Sequence, residues 1–151
     1  MLSDFDNPVM QLCAAGMQVD GEPAKALALF EQAWAARRDD FDASVAAHYV
    51  ARHEATPRAT HEWNERALQH ADAVPDDRAV SLVPSLCLNL AESYRLDSRC
   101  EQAEALAQRG LLALDALPAD DGYAQFVRAG LDRLLHRLRA DGRPISACQR
   151  T

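Results

Sequence analysis

One spacing constrains the fold of this 151-residue chain more than any other feature. Small residues stand at Ala14, Ala47 and Ala91, separated by 33 and then 44 positions. A second set, Ala26, Ala59 and Ala103, keeps the same two gaps, and so does a third, Phe30, Trp63 and Ala107. Isolated helices would share so unequal a spacing only by chance, so the pattern predicts three copies of one structural unit. The second gap is longer by 11 residues, about three helical turns. These are expected to lengthen the helices on either side of Pro75.

Each unit reads as a helical hairpin. In LNLAESYRLDSRCEQAEALAQRG, residues 88–110, Leu90, Ala91 and Tyr94 fall on one helical face. The pattern then breaks and resumes with Ala103, Leu106 and Ala107. Helix starts are marked by Asn7-Pro8, by Glu22-Pro23 after the Asp20-Gly21 turn, by Asp39-Asp40 and by Thr56-Pro57. Pro75-Asp76-Asp77 is expected to close one helix and cap the next. Ser98 to Glu101 has the S-x-x-E form of a capping box. Pro118 with Asp120-Asp121 stops one helix and opens the last. No segment alternates with the period of a strand. The expected fold is all-α, with about seven helices of ordinary length in one domain, residues 1–140. Hairpins are expected near 7–38, 40–74 and 77–118, with a last helix over 120–140 and a disordered tail over 141–151. In the last helix, Tyr123, Phe126, Val127, Leu131, Leu134, Leu135 and Leu138 form an expected apolar face, interleaved with Arg128, Asp132, Arg133, Arg137 and Arg139. That face predicts a cap over the third hairpin.

Charge and cysteine content narrow the function. The formal charge is −7 and no basic cluster persists, because Arg37-Arg38 is followed at once by Asp39-Asp40. This argues against nucleic acid or an anionic membrane as partner. No apolar run approaches the ~20 residues of a membrane span. The acidic start, Met-Leu-Ser-Asp-Phe-Asp, is not that of a signal peptide. None of the four cysteines forms a C-x-x-C pair. Cys13 and Cys87 fall at apolar helix positions and are expected as reduced core thiols of a cytoplasmic protein. Lys25 is the only lysine, a bias expected of a GC-rich bacterial genome.

Catalytic constellations are not found. His48 and His53 lie five apart on one expected helix, roughly 500° of rotation, so they do not share a face. No H-E-x-x-H, G-x-S-x-G, phosphate loop or dinucleotide fingerprint occurs. Acid pairs at 39–40, 76–77 and 120–121 precede helices and suit capping. Trp34 and Trp63 are expected in the core. The reading is therefore non-enzymatic, with no metal and no cofactor.

Helical hairpins repeating at about this length, with small–bulky–small punctuation, resemble tetratricopeptide repeats. The likeness spans residues 7–118. It is carried by Asn89-Leu90-Ala91, Tyr94, Ala103 and Pro118, by Ala14, Met17, Gly21, Ala26, Phe30 and Ala33, and by Ala47, Ala59 and Trp63. Arg66 stands where a small residue is expected, and Ala67 replaces it if the register shifts by one. The resemblance implies a right-handed superhelical array of about three hairpins, with a plain helical bundle as the alternative. It also implies a concave groove lined by the first helix of each hairpin, binding a peptide or helix of a partner protein. The groove residues would be Gln11, Gln18, Ser44, His48, Arg52, Leu88, Glu92 and Arg95, around Ala15 and Ala51. Asn89 matches one position of a carboxylate-gripping subgroup, but Gln11, Ala15, Val45 and Ser85 depart from the others, so that activity is not implied. Two alternatives stay open: a self-associating scaffold acting through the last helix or the open end of the array, and a small enzyme using His48 beside Glu92 and Arg95.

Overall fold

The computed structural model describes residues 6–140, so the expected tail over 141–151 lies outside the described residues. Among the described residues the longer elements are α1 (Pro8–Gln18), α2 (Pro23–Ala35), α3 (Asp40–Ala51), α4 (Pro57–Ala73), α5 (Val83–Leu96), α6 (Cys100–Leu114) and α7 (Gly122–Ala140), with no strand. They gather into two compact units, Met1–Asp76 and Asp77–Thr151.

In the first unit the helix starts follow the sequence signals. The side chains of Asn7, Asp39 and Thr56 accept from the backbone N–H groups of Val9, Asp42 and Ala59, satisfying amides that have no partner inside the helix. Gly21 turns the chain between α1 and α2 with φ +73°, a conformation that costs glycine little. Helix α1 packs on α2, α3 packs on α4, and both α1 and α2 pack on α3. Helix α3 is accordingly buried almost all round, from Asp42 to Ala47 and again at Val50 and Ala51.

The register of the first crossing differs from the expected one. Ala14 is exposed, and Val9, Cys13 and Gly16 face inward. The reason is Phe30. Its ring is fully buried, stacks on Tyr49 at 5.2 Å and sits 4.8 Å from the His53 ring. A Cβ at position 16 would come within 2.7 Å of Phe30 Cζ, so only glycine admits the ring. In α4 the shift by one position occurs: Ala67 is fully buried, whereas Arg66 is exposed and Trp63 and Ala59 are half-buried.

A buried carboxylate ties the unit together. Asp42 is 1% exposed. It accepts from Asn7 Nδ2 at 2.8 Å, and from the Arg38 backbone N–H and Arg38 Nε at 3.1 Å each. One side chain thus joins the start of α1, the residues after α2 and the first turn of α3. A buried charge persists only where its lone pairs are met in this way.

The second unit opens with a 3-10 turn, Asp77–Ala79. The extra residues of the longer gap lengthen the helices on both sides of Pro75: α4 has 17 residues, and α5 has 14 against 11 in α1 and 12 in α3. Others form this turn, and Asp76-Asp77 does not cap α5, whose start at Leu82 lacks a side-chain cap. Ala91, Ala103 and Ala107 are fully buried where α5 meets α6. Helix α7 packs on both. Gly110 keeps the three helices close, since a Cβ there would lie 3.1 Å from Cys87 Cβ and from Leu131 Cδ1. The inner face of α7 is Ala124, Val127, Leu131, Leu134, Leu135 and Leu138. Phe126 is 71% exposed, contrary to expectation, because it precedes Val127 by one position and so points roughly 100° away. Tyr123 is also exposed, but its hydroxyl donates to the Ser81 carbonyl at 2.6 Å and shares a short hydrogen bond with Ser85.

Ser98 corrects another expectation. It is not the cap of a capping box, and α6 starts at Cys100 without a side-chain cap. Ser98 has φ +60° and ends α5. Its N–H donates to the Arg95 carbonyl at 3.0 Å, and the Arg99 N–H reaches back to Tyr94 at 2.8 Å. This is the paired pattern of a Schellman motif, and its left-handed position outranks the S-x-x-E signal.

Two substitutions test this packing. Gly16→Ala should destabilise by roughly 1–3 kcal/mol, despite alanine's better helix propensity, because Phe30 is held on its other sides. Ser98→Gly should stabilise by about 1 kcal/mol through relief of the left-handed conformation. Urea unfolding of each variant beside the wild type reads both effects.

Candidate functional site

The eight expected groove residues divide between the two units. On α1, Gln11 and Gln18 are exposed. On α3, Ser44 is fully buried and donates to the Ala67 carbonyl at 2.9 Å. Its hydroxyl is thereby used in joining α3 to α4. His48 is half-buried, its ring 5.2 Å from the Tyr49 ring, and Arg52 lies exposed one turn further on. Burial, and then the Arg52 charge, hold the His48 imidazole down at about 4, so it is neutral near pH 7.

In the second unit, Leu88 lies where a Cβ on Gly130 of α7 would come within 2.8 Å of its Cδ2. It therefore contributes to α5–α7 packing. Glu92 and Arg95 form a bidentate pair, with Arg95 Nε and Nη2 donating to the carboxylate at 2.8 and 2.7 Å. Arg137 of α7 stands 4.0 Å from the same carboxylate. The result is a half-exposed cation–anion–cation row on α5 and α7.

Three of the other four histidines have polar partners, and His136 on α7 is exposed. His53 Nδ1 is 3.1 Å from the Tyr49 carbonyl, His61 is 2.9 Å from Glu65, and His70 is 2.8 Å from Asp40. Among the described residues, no three His, Cys, Asp or Glu side chains are placed to hold a metal ion. Cys13 and Cys87 are free and buried. Burial, and then the nearby Asp42 charge, push the Cys13 thiol up to about 12, which removes thiolate chemistry there. No helix is long and apolar enough to cross a membrane, among the described residues.

One cluster was not expected. Trp34 on α2 and Trp63 on α4 are half-buried rather than in the core. Their rings meet edge to face at 4.9 Å. Arg37 lies over the Trp34 ring at 4.0 Å and Arg66 over the Trp63 ring at 4.4 Å. The sequence does carry a signal for it: W-x-x-R occurs twice, within α4 for Trp63 and Arg66, where i,i+3 residues share a helix face, and across the end of α2 for Trp34 and Arg37.

No protein-family model matches the chain, and neither a curated protein nor a solved structure matches it.

The His48 environment has a measurable consequence. Its ordinary value, 6.5, applies to the unfolded chain, and the folded value is about 4. Between these the unfolded state binds the extra proton, so stability is full above pH 6.5 and falls as pH drops towards 4. A loss on the order of 2 kcal/mol is expected across that window. Urea unfolding at pH 7.5, 5.5 and 4.5 should show it in the wild type. His48→Gln should lose less over the same range.

Proposed function

We propose that this chain is a non-enzymatic protein-interaction module of the tetratricopeptide-repeat type. It would be a right-handed superhelical array of about three hairpins closed by α7. The observation that carries the reading is a packing pattern. In the first unit, α3 packs on both helices of the hairpin before it. In the second, α7 packs in the same way on both α5 and α6. A hairpin whose apolar faces are covered by the first helix of the next is the defining economy of stacked repeats, and α7 then stands in for a fourth first helix.

Partner binding is assigned to the first helices, through Gln11, Gln18, His48 and Arg52 in one unit and Glu92 and Arg95 in the other. Amide, imidazole, guanidinium and carboxylate groups suit side-chain hydrogen bonds to a peptide or helix of a partner protein. Ser44 and Leu88 would act behind that surface by fixing the helices. A neutral His48 offers hydrogen bonding without charge. A value near 4 also lies too low for efficient general-base catalysis at neutral pH. The proposed location is cytoplasmic, which suits the free Cys13 and Cys87 thiols.

The test is affinity capture from the native cell with the wild-type chain and with an Arg52→Glu/Arg95→Glu variant. A protein retained by the wild type and reduced at least about tenfold with the variant is the expected result, since losing charged hydrogen bonds costs ~1.5–3 kcal/mol. Capture of no protein, or equal capture by both chains, would remove this reading.

A further inference from the structure

We propose that the paired Trp–Arg stacks on α2 and α4 form a second docking surface, distinct from the first-helix surface, for an acidic peptide segment of a partner protein. The two halves of the cluster are alike. In each, a guanidinium three residues further along the chain covers an indole, at 4.0 Å for Arg37, just past the end of α2, and at 4.4 Å for Arg66 within α4. The indoles meet at 4.9 Å, so the four side chains form one continuous surface.

The guanidiniums are the informative part. In this chain of charge −7, Arg38, Arg58, Arg95 and Arg128 each stand within 4.0 Å of a carboxylate. Arg37 and Arg66 have no carboxylate partner among the described residues. Arg37 donates Nη1 to the Trp34 carbonyl at 2.7 Å, and its other N–H groups remain available. Both Arg residues are exposed while the indoles beneath are half-buried. The ring beneath supports each guanidinium, and a guanidinium with N–H groups to spare receives a carboxylate through two parallel bonds. Holding the side chain in advance reduces the ordering cost on binding. Tryptophan and arginine are also the residues in which binding energy concentrates at protein interfaces.

Charge complementarity selects the occupant. Two unpaired cations beside an apolar platform match a short segment with carboxylates next to a leucine or phenylalanine. A nucleic acid would need a longer track of cations to neutralise its phosphates. Here the flanking His70 is bonded to Asp40 at 2.8 Å, which ends the basic surface.

The chain has only two tryptophans, and both lie in this cluster, so intrinsic tryptophan emission reports on this surface alone. The probe is a blocked ten-residue peptide of aspartate and glutamate carrying two leucines. Its controls are the same peptide with asparagine and glutamine, and oligothymidylate. A saturable emission change with the acidic peptide is expected, weakened by added salt and weakened about tenfold or more in Arg37→Gln/Arg66→Gln. Far-UV circular dichroism checks that the variant stays helical, and Arg66→Gln alone serves if the double variant does not fold. No saturable change, an equal response to the neutral peptide, undiminished binding by the variant, or tighter binding of oligothymidylate would each overturn the proposal. None of these outcomes bears on Arg52 or Arg95, so the first-helix reading stands or falls separately.

Discussion

Helix axes that cross over alanine or glycine approach more closely than axes crossing over leucine, and each unit of this protein depends on that closeness. Small residues bury little apolar area, so their contribution comes mainly from letting neighbouring atoms reach contact distance. Ala46, Ala47 and Ala67 do this in the first unit, and Ala91, Ala103 and Ala107 in the second, each with no exposed surface. Gly16 and Gly110 go a step further by admitting the Phe30 ring and the Leu131 side chain. With aromatics at only 6% of the chain, such close contact takes over from bulk as the source of cohesion.

Polar groups are matched with equal care. Among the described residues, no buried side-chain nitrogen or oxygen lacks a hydrogen-bond partner. Ser44 is bonded to a carbonyl on α4, and Asp42 has three donors from other residues besides the ordinary backbone pattern of its helix. An unmet polar atom in so tight a core would cost more than the small residues around it contribute. This is one reason that surface chemistry is pushed outward, onto α5 and α7 in one unit and onto the outer faces of α2 and α4 in the other.

Helix type and helix ends were legible in the sequence because they depend on neighbours close along the chain. Asn7, Asp39 and Thr56 cap their helices as their local pattern implies. Facing was less legible. Alanine has the same side chain on an inner or an outer face, so Ala14 could not be distinguished from an inward residue. Gly16 was the one that met Phe30, and Cys13 was buried one turn earlier in α1. Ser98 was misread because two signals overlap there, and the end of α5 decides the geometry before α6 begins. At the candidate site, Gln11, Gln18 and Arg52 are exposed. The buried ends of Ser44 and Leu88 depended on contacts 23 residues or more away. The Trp–Arg stacks were legible in principle, since W-x-x-R recurs, but a tryptophan on an apolar helix reads first as core.

Asp42 makes the first two hairpins unequal partners. Here a carboxylate on α3 accepts the side-chain amide of the residue that caps α1. Losing the first hairpin would strand that buried anion with fewer donors, and exchanging it for another copy would require Asn7 to travel with it. The amino-terminal hairpin is therefore fixed in place. Removing the first hairpin would cost this unit a buried charged hydrogen bond as well as packing contacts.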